Sequence, residues 1–325
     1  MIRKEVLGFL STYLAIWVIF IAQASTLYAA GGGSWTSKTP MPVSKYGLHA
    51  ATVGGRIYVI GGEHAQPNPV PTGAVDVYDP ATDKWTHAAD MPTARGFFAT
   101  AVVDGRIFAI GGSPNMLPHD PGIGTVEIYD PKTNHWSKGT DMPTPRADLT
   151  ASVVNGKIYA IGGTRHVAID ALGIVEEYDP GTDNWTRKAD MPTPRLHLSS
   201  AVVDNKIYVF GGGPQWAVPS GAAEMYDPVT DTWTKLPDMP TERTGVWAAA
   251  LDGKIYVCGG VSWETTALAT VEAYDTKTNK WLKIPDMPTP RFLLAVEAVG
   301  DRLYAIGGSS TDWTSLAAVE AFTPP

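Results

Sequence analysis

The chain has 325 residues, of which 44% are hydrophobic and 18% are charged, so the composition excludes a disordered chain and predicts a large buried core. Its formal net charge is −8 and the sequence holds no cluster of lysine and arginine, which makes nucleic acid a poor partner. The single cysteine, Cys258, rules out an internal disulfide and reads as a small buried hydrophobe. Abundant glycine (33) and proline (26) without a collagen-like period predict an all-β chain of short strands.

The first thirty residues differ in composition from the rest. Arg3 and Lys4 precede an apolar run, Val6–Ala24, and small residues follow it. This pattern predicts a signal peptide over residues 1–24 and a short linker over 25–33. The run is also long enough to span a bilayer, so an uncleaved anchor formed by residues 6–24 stays open. Either reading predicts an extracytoplasmic protein, secreted or periplasmic.

The remainder consists of six copies of one unit, each marked by a glycine pair and a tryptophan. The pairs are Gly61-Gly62, Gly111-Gly112, Gly162-Gly163, Gly211-Gly212, Gly259-Gly260 and Gly307-Gly308. The tryptophans are Trp35, Trp85, Trp136, Trp185, Trp233 and Trp281. A cation follows each tryptophan by ten residues and precedes the glycine pair by sixteen: Lys45, Arg95, Arg146, Arg195, Arg243 and Arg291. Only the number of residues between the glycine pair and the acidic residue that follows it varies between units. The differences in length between units therefore fall in one loop per unit.

Each unit reads as four strands. In the third unit the first two are Leu149–Val154 and Lys157–Ile161, joined by a short Asn-Gly turn. The third is Val175–Tyr178, and the fourth begins at Trp185. The doubled glycine after a hydrophobic strand, followed by a tyrosine and a tryptophan, resembles the kelch repeat. With the leader, it indicates an exported kelch protein of bacterial type.

The resemblance implies that each unit is one four-stranded blade and that residues 34–325 form a six-bladed β-propeller. The body opens on a fourth strand (Ser34-Trp35-Thr36) and closes on a third (Val319–Phe322), so one blade is expected to be assembled from both ends. Such a closed ring leaves no free inner edge, and we expect a monomer.

The acids of the units suggest structural ion pairs. They are Asp76, Glu127, Glu176, Glu224, Glu272 and Glu320, and the first five each precede the next cation by nineteen residues. The constant spacing predicts a pair between neighbouring strands or blades. The last acid would then pair with the first cation, Glu320 with Lys45, and this pair would close the ring.

Residues that recur in all six units are assigned to the scaffold, and the ligand is expected where the units differ. By the resemblance, the loops after the second strands and those that lead into the first strands meet at the mouth of the central channel. Candidate ligand-binding residues there are Glu63, His64, Asn115, Arg165, His166, His197, Gln215, Trp216, Trp263, Asp312 and Trp313. Further loop residues at this end are Tyr46, Phe97, Asp148, Thr244 and Phe292.

The candidates divide into two arcs. Trp216, Trp263 and Trp313 form an aromatic arc on the fourth to sixth units, and these rings are either exposed for binding or folded over the blade tops. The other arc is polar and contains Glu63, His64, Arg165, His166 and His197. No short metal-ligand spacing occurs among the histidines, so no metal and no cofactor are predicted. Trp247 lies on a first strand and is expected to fill part of the channel.

These features favour a non-catalytic module that binds a protein or a glycan at the mouth, because no catalytic motif appears. An alternative is a sugar-modifying isomerase similar to the kelch-type sialic acid mutarotases, with Glu63 and Arg165 as the acid/base pair. A more remote alternative is an oxidase resembling galactose oxidase. Its copper site needs a tyrosine crosslinked to cysteine, whereas Cys258 lies within a second strand and the sequence has no Tyr-His pair.

Overall fold

The structure is a computed structural model that describes residues 32–64, 70–115, 120–167, 169–216 and 218–325. The predicted leader and most of the predicted linker lie outside the described residues. Every regular element described is a β-strand. In chain order the strands are β1 (Ser34–Ser37), β2 (His49–Val53), β3 (Arg56–Ile60), β4 (Glu63–His64), β5 (Val70–Pro71), β6 (Val75–Asp79), β7 (Lys84–Ala88), β8 (Ala99–Val103), β9 (Arg106–Ile110), β10 (Val126–Asp130), β11 (His135–Lys138), β12 (Thr150–Val154), β13 (Lys157–Ile161), β14 (Thr164–His166), β15 (Ile169–Ala171), β16 (Val175–Asp179), β17 (Asn184–Arg187), β18 (Ser199–Val203), β19 (Lys206–Phe210), β20 (Ala223–Asp227), β21 (Thr232–Lys235), β22 (Trp247–Leu251), β23 (Lys254–Cys258), β24 (Val271–Asp275), β25 (Lys280–Ile284), β26 (Ala295–Val299), β27 (Arg302–Ile306) and β28 (Val319–Thr323).

Six four-stranded antiparallel sheets form the blades of a propeller, as predicted. Blades 1 to 5 take their strands in chain order: β2-β3-β6-β7, β8 to β11, β12-β13-β16-β17, β18 to β21, and β22 to β25. Blade 6 has the order β26-β27-β28-β1, with Trp35 opposite Phe322 in the register. The N-terminal strand therefore completes the C-terminal blade. Two short hairpins, β4-β5 and β14-β15, extend the loops after the second strands of blades 1 and 3.

The hydrophobic core lies between neighbouring blades. Second strands are buried on both faces, and Ile57 and Val59 of blade 1 are fully buried. Each such side chain contributes about 2 kcal/mol through removal of apolar surface from water. One cluster joins the two ends of the ring by packing blade 1 against blade 6, and it contains Ile57, Val59, Tyr78, Tyr304, Ile306 and Ala321.

The repeated tryptophans and glycines connect blades, which agrees with their assignment to the scaffold. Each indole N–H donates to a carbonyl at the end of the preceding blade's outer strand, as Trp85 does to Thr39 over 3.0 Å. The first glycine of each pair has left-handed φ, and a Cβ on Gly61 would lie 2.6 Å from the carbonyl oxygen of Arg95 in the next blade. These positions need glycine because two backbones meet there.

The ion pairs form within blades, so the predicted pairing of Glu320 with Lys45 is wrong. Glu320 pairs with Arg291 of its own blade, and Lys45 lies 2.7 Å from Asp76. The acid stands on the third strand and the cation just before the first strand, so the variable loop lies between the partners. The same pairing in the other four blades joins Arg95 to Glu127, Arg146 to Glu176, Arg195 to Glu224, and Arg243 to Glu272.

Candidate functional site

A ring of main-chain hydrogen bonds narrows the central channel at the mouth, the end where first strands begin and second strands end. One residue per blade, two positions after the buried cation, has φ between +50° and +64°. Each of these residues donates its N–H to the carbonyl of its counterpart in the preceding blade, over 2.8 to 3.2 Å, and the circle closes. The ring residues are Gly47, Phe97, Asp148, His197, Gly245 and Leu293.

Aromatic side chains cover this ring. Trp216 of blade 4 and Trp313 of blade 6 approach to 5.4 Å between ring centroids. Phe292 packs against both, at 5.6 Å and 5.0 Å. Tyr46 of blade 1 lies 6.0 Å from Trp313. A single hydrophobic cluster joins residues of blades 1, 2, 3, 5 and 6, with Trp216 packed against it. The mouth is therefore capped over the channel axis.

The three candidate tryptophans differ in exposure. Trp216 is half-buried and its ring centroid lies 4.6 Å from that of His197. Trp313 is 44% exposed and Trp263 is 58% exposed. The Trp263 indole N–H donates to Glu242 over 2.7 Å, which fixes the ring at the surface of blade 5. The predicted arc thus consists of one half-buried ring and two exposed rings.

Glu63 lies in a buried position beside Tyr46. The two residues form a main-chain bridge, with N–H to O distances of 2.9 and 3.1 Å, and their side chains are hydrogen bonded. Burial raises the pKa of Glu63 to about 7, although the hydrogen bond from Tyr46 opposes the shift. Arg165 is exposed on the hairpin of blade 3, and within the described part of the chain no ion pair joins it to Glu63. The two members of the suggested acid/base pair therefore differ in burial and form no direct ion pair among the described residues.

The three candidate histidines are also separated. His64 Nδ1 lies 2.8 Å from the carbonyl oxygen of Ser44, and His166 is exposed on the blade 3 hairpin. His197 is buried in the ring, 3.2 Å from Asp148, and burial lowers its pKa to about 3. Within the described part of the chain, no group of three or more His, Cys, Asp or Glu side chains is placed to hold a metal ion.

The remaining candidates are polar and exposed. They are Asn115 on blade 2, Gln215 on blade 4 and Asp312 on blade 6. The Ser310 hydroxyl donates to Asp312 beside Trp313, and this bond lowers the pKa of the carboxyl. These side chains surround the aromatic cap with hydrogen-bonding groups. None of the three lines the cavity in the channel.

Two expectations from the sequence concern interior residues. Cys258 is fully buried in β23, and burial raises its pKa to about 12. Trp247 lines the channel and packs against His49 in a T-shaped arrangement, with ring centroids 4.6 Å apart and ring planes at 70°. Both placements agree with the sequence.

No helix in the described residues is long and apolar enough to cross a membrane.

Comparison with known families gives a match over most of the chain. The KLHDC2/KLHL20/DRC7 Kelch-repeats domain matches residues 29–163 and 139–308. The chain belongs to the kelch-repeat family. Kelch propellers generally mediate protein interactions.

Curated relatives share short stretches of this kelch propeller. Kelch-like protein terF of Aspergillus terreus is 32% identical over 40% of this chain, and Kelch-like protein 25 of Xenopus tropicalis is 31% identical over 40%. The influenza virus NS1A-binding protein homolog of Mus musculus is 48% identical over 13% of this chain. The matches span 30%, 22% and 6% of those relatives. Less than a third of each relative is therefore represented.

A solved structure shares the whole kelch fold. The structure of YjhT superposes with a TM-score of 0.76, covering 87% of this chain and 95% of that one. The sequences are 18% identical. This similarity shows the fold of the propeller and nothing about its ligand.

Sequence reasoning missed a polar site inside the kelch channel. A cavity of about 350 Å³ is lined by the six first strands and contains Glu297. The Thr52 hydroxyl donates to the Glu297 carboxylate over 2.8 Å, and burial raises the pKa of Glu297 to about 7. The signal in the sequence is the replacement of a small residue by an acid, since the equivalent positions are Ala51, Ala101, Ser152, Ala201 and Ala249.

Proposed function

We propose that this protein is a monomeric, extracytoplasmic binding module whose mouth face recognises a partner protein. The mouth face comprises the loops after the second strands and those leading into the first strands. The observation that carries the proposal is the exposure of two tryptophans on this face, 58% for Trp263 and 44% for Trp313. Exposed aromatic rings on a rigid frame are typical anchors of protein interfaces.

Further apolar surface on the same face supports a protein ligand. Val43 and Val70 of the blade 1 loops are 47% and 58% exposed. Exposed Arg165 and Glu264 add charges of both signs around the tryptophans. An apolar centre with a polar rim is the usual composition of a protein interface. The aromatic cap over the channel favours a shallow surface rather than a deep substrate pocket.

A glycan is the second candidate ligand, because each exposed tryptophan stands beside an acid. Trp263 is bonded to Glu242, and Trp313 follows Asp312 in the chain. An indole ring stacks on the apolar face of a sugar, while a neighbouring carboxylate accepts hydrogen bonds from its hydroxyls. The isomerase alternative has less support, since Glu63 is buried against Tyr46 and forms no ion pair with Arg165 among the described residues.

The deciding experiment compares binding by three forms of the protein. The double variant Trp263→Ala/Trp313→Ala removes both surface rings, and Val229→Ala is the matched control. Val229 is 81% exposed in a turn between third and fourth strands, on the face opposite the mouth. Extracytoplasmic proteins of the source cell are captured on each immobilised form and quantified by mass spectrometry, and the same forms are applied to a glycan array.

A protein retained by the wild type and by Val229→Ala, but lost with the double variant, supports the protein-binding proposal. Loss of a glycan signal in the same comparison, with no protein retained, favours the glycan. Undiminished capture by the double variant contradicts both. Circular dichroism spectra of the three forms establish that the variants remain folded.

Export is supported by the sequence of residues 1–24. The expected result is recovery of the protein outside the cytoplasm. Intact mass measurement then distinguishes a form cleaved after Ala24 from an uncleaved anchor. Recovery only from the cytoplasm contradicts the proposal.

A further inference from the structure

The central channel is closed at the mouth and accessible from the other end. The hydrogen-bonded ring and its aromatic cap cover the mouth end, where Leu48 is 1% exposed and Ala50 is 2% exposed. Towards the opposite face, where the first strands turn into the second, lining residues such as Thr52, Val102 and Val202 are only half-buried. The cavity of about 350 Å³ therefore opens on the face away from the mouth. This volume is sufficient for a small organic ligand.

One acid stands in this cavity without a cation beside it. Among the described residues that line it, Glu297 is the one carboxylate, and none is lysine or arginine. Thr52 is the hydrogen-bond partner of Glu297, through its side chain and main chain. Glu297 is half-buried, and removing a carboxylate from bulk water is costly unless a cation or several hydrogen bonds compensate it. The site is therefore suited to a ligand that brings a positive charge.

The rest of the lining suits an organic ammonium group. Trp247 lines the cavity from the blade next to Glu297, and an indole face attracts cations. His49 is buried against Trp247, and burial lowers its pKa to about 3, so it carries no competing positive charge. Hydroxyl groups line other walls and suit polar atoms of a ligand, those of Thr100, Thr150 and Ser200.

We propose that the channel binds a small primary amine in its ammonium form, which enters from the face opposite the mouth and is held by the Glu297 carboxylate and the Trp247 ring. This site is separate from the proposed interaction surface at the mouth. Anionic ligands are disfavoured because the cavity contains the Glu297 carboxylate and, among the described residues that line it, no cation to pair with them. A neutral ligand of the same length as the amine cannot form the ion pair with Glu297.

The test uses three four-carbon probes: putrescine, a diamine; butanediol, its neutral analogue; and succinate, its anionic analogue. Binding is measured by isothermal titration calorimetry in an amine-free buffer. We expect putrescine to bind and the other two probes not to bind. Glu297→Gln keeps the shape of the side chain and is expected to weaken putrescine binding about tenfold or more, because an ion pair in a cavity is lost.

Two further variants complete the test. Glu297→Ala installs the residue found at four of the five equivalent positions, so it is expected to fold and also to lose putrescine. Trp263→Ala alters only the mouth face and is expected to bind putrescine like the wild type. Failure of putrescine to bind, equal binding of butanediol, or full retention by both Glu297 variants overturns the proposal. None of these outcomes bears on the mouth face, so the two proposals are tested separately.

Discussion

The main-chain N–H of Gly308 donates to the carbonyl oxygen of Lys45 over 2.9 Å and so joins the last blade to the first. The same bond occurs at each of the other five blade boundaries, as from Gly62 to Arg95 over 3.0 Å. Each cation thus has two structural roles. Its main chain receives a hydrogen bond from the preceding blade, while its side chain neutralises an acid of its own blade.

Gly308→Ala is expected to lower the free energy of unfolding by about 3 kcal/mol or more, because a side chain here meets backbone. Its Cβ would lie 2.7 Å from the carbonyl oxygen of Phe292, and φ is +98°. Gly300→Ala is the matched control, since φ there is +60° and no atom lies within 4 Å. The control is expected to lose only about 1 kcal/mol. Urea unfolding of both variants makes the measurement, and equal losses would contradict the role of Gly308.

A double-mutant cycle is expected to couple Glu320 to Arg291 and not to Lys45. Arg291 is fully buried and Glu320 is 3% exposed, so removal of either partner leaves a buried charge. Glu320→Gln with Arg291→Met should depart from additivity by ~2 kcal/mol or more. Glu320→Gln with Lys45→Met should be additive within ~0.5 kcal/mol. Chemical denaturation of the single and double variants gives both values. Coupling to Lys45 instead would restore the pairing inferred from sequence spacing.

The incorrect pairing of Glu320 with Lys45 followed from the constant spacing between each acid and the next cation. The nineteen residues from each acid to the next cation are constant because the fourth strand and the connection to the next blade have a fixed length. The true partners are separated by the variable loop, so their spacing changes from 29 residues for Arg243 and Glu272 to 32 for Arg95 and Glu127. Constant spacing identified the scaffold, the strand order and the mixed blade. It did not identify contacts within a blade.

The mouth was only partly predictable for a related reason. The sequence placed Trp216, Trp263 and Trp313 on neighbouring blades, but a linear pattern does not say which loop folds inward over the axis. Trp216 lies over the channel mouth because its ring packs against the rings of His197 and Phe292. The hydrogen-bonded ring was hidden because its members share a backbone conformation rather than a residue type. They range from glycine to phenylalanine, aspartate, histidine and leucine.

Trp216→Ala and Trp263→Ala are expected to differ in their effects on stability. Trp216 contacts His197, Phe292 and Trp313, so its truncation leaves a cavity and should cost about 3 kcal/mol. Trp263 is 58% exposed, and its truncation should change the free energy of unfolding by less than about 0.5 kcal/mol. Thermal and urea unfolding measure both. Similar costs would mean that the cap does not stabilise the propeller.

Cys258 is expected to resist alkylation in the native protein. Burial raises the pKa of its thiol to about 12, and the side chain is fully buried between blades 5 and 6. Since the thiolate is the reactive form, iodoacetamide should modify it only after unfolding. Mass spectrometry after treatment with and without urea measures the modified fraction. Rapid labelling without denaturant would show that the second strand of blade 5 opens readily.

Glu297 is expected to make the propeller less stable as pH rises. Its folded-state pKa is about 7, raised by burial from an ordinary value of 4.5. The folded protein therefore holds the proton more tightly, so the stabilisation from the protonated form is complete below pH 4.5 and is lost as pH rises through 7. Glu297→Gln stays neutral at every pH and can still accept the hydrogen bond from Thr52.

The free energy of unfolding of Glu297→Gln should accordingly match the wild type at pH 4 and exceed it at pH 8 by up to about 3 kcal/mol. Groups shared by both proteins, including Glu63, cancel in the difference. Glu264→Gln serves as control, because Glu264 is exposed on the mouth face and its replacement should leave the pH profile unchanged. Urea unfolding of the three proteins across this pH range provides the measurement. A difference between wild type and Glu297→Gln that does not vary with pH would show that the channel carboxyl titrates as in solvent.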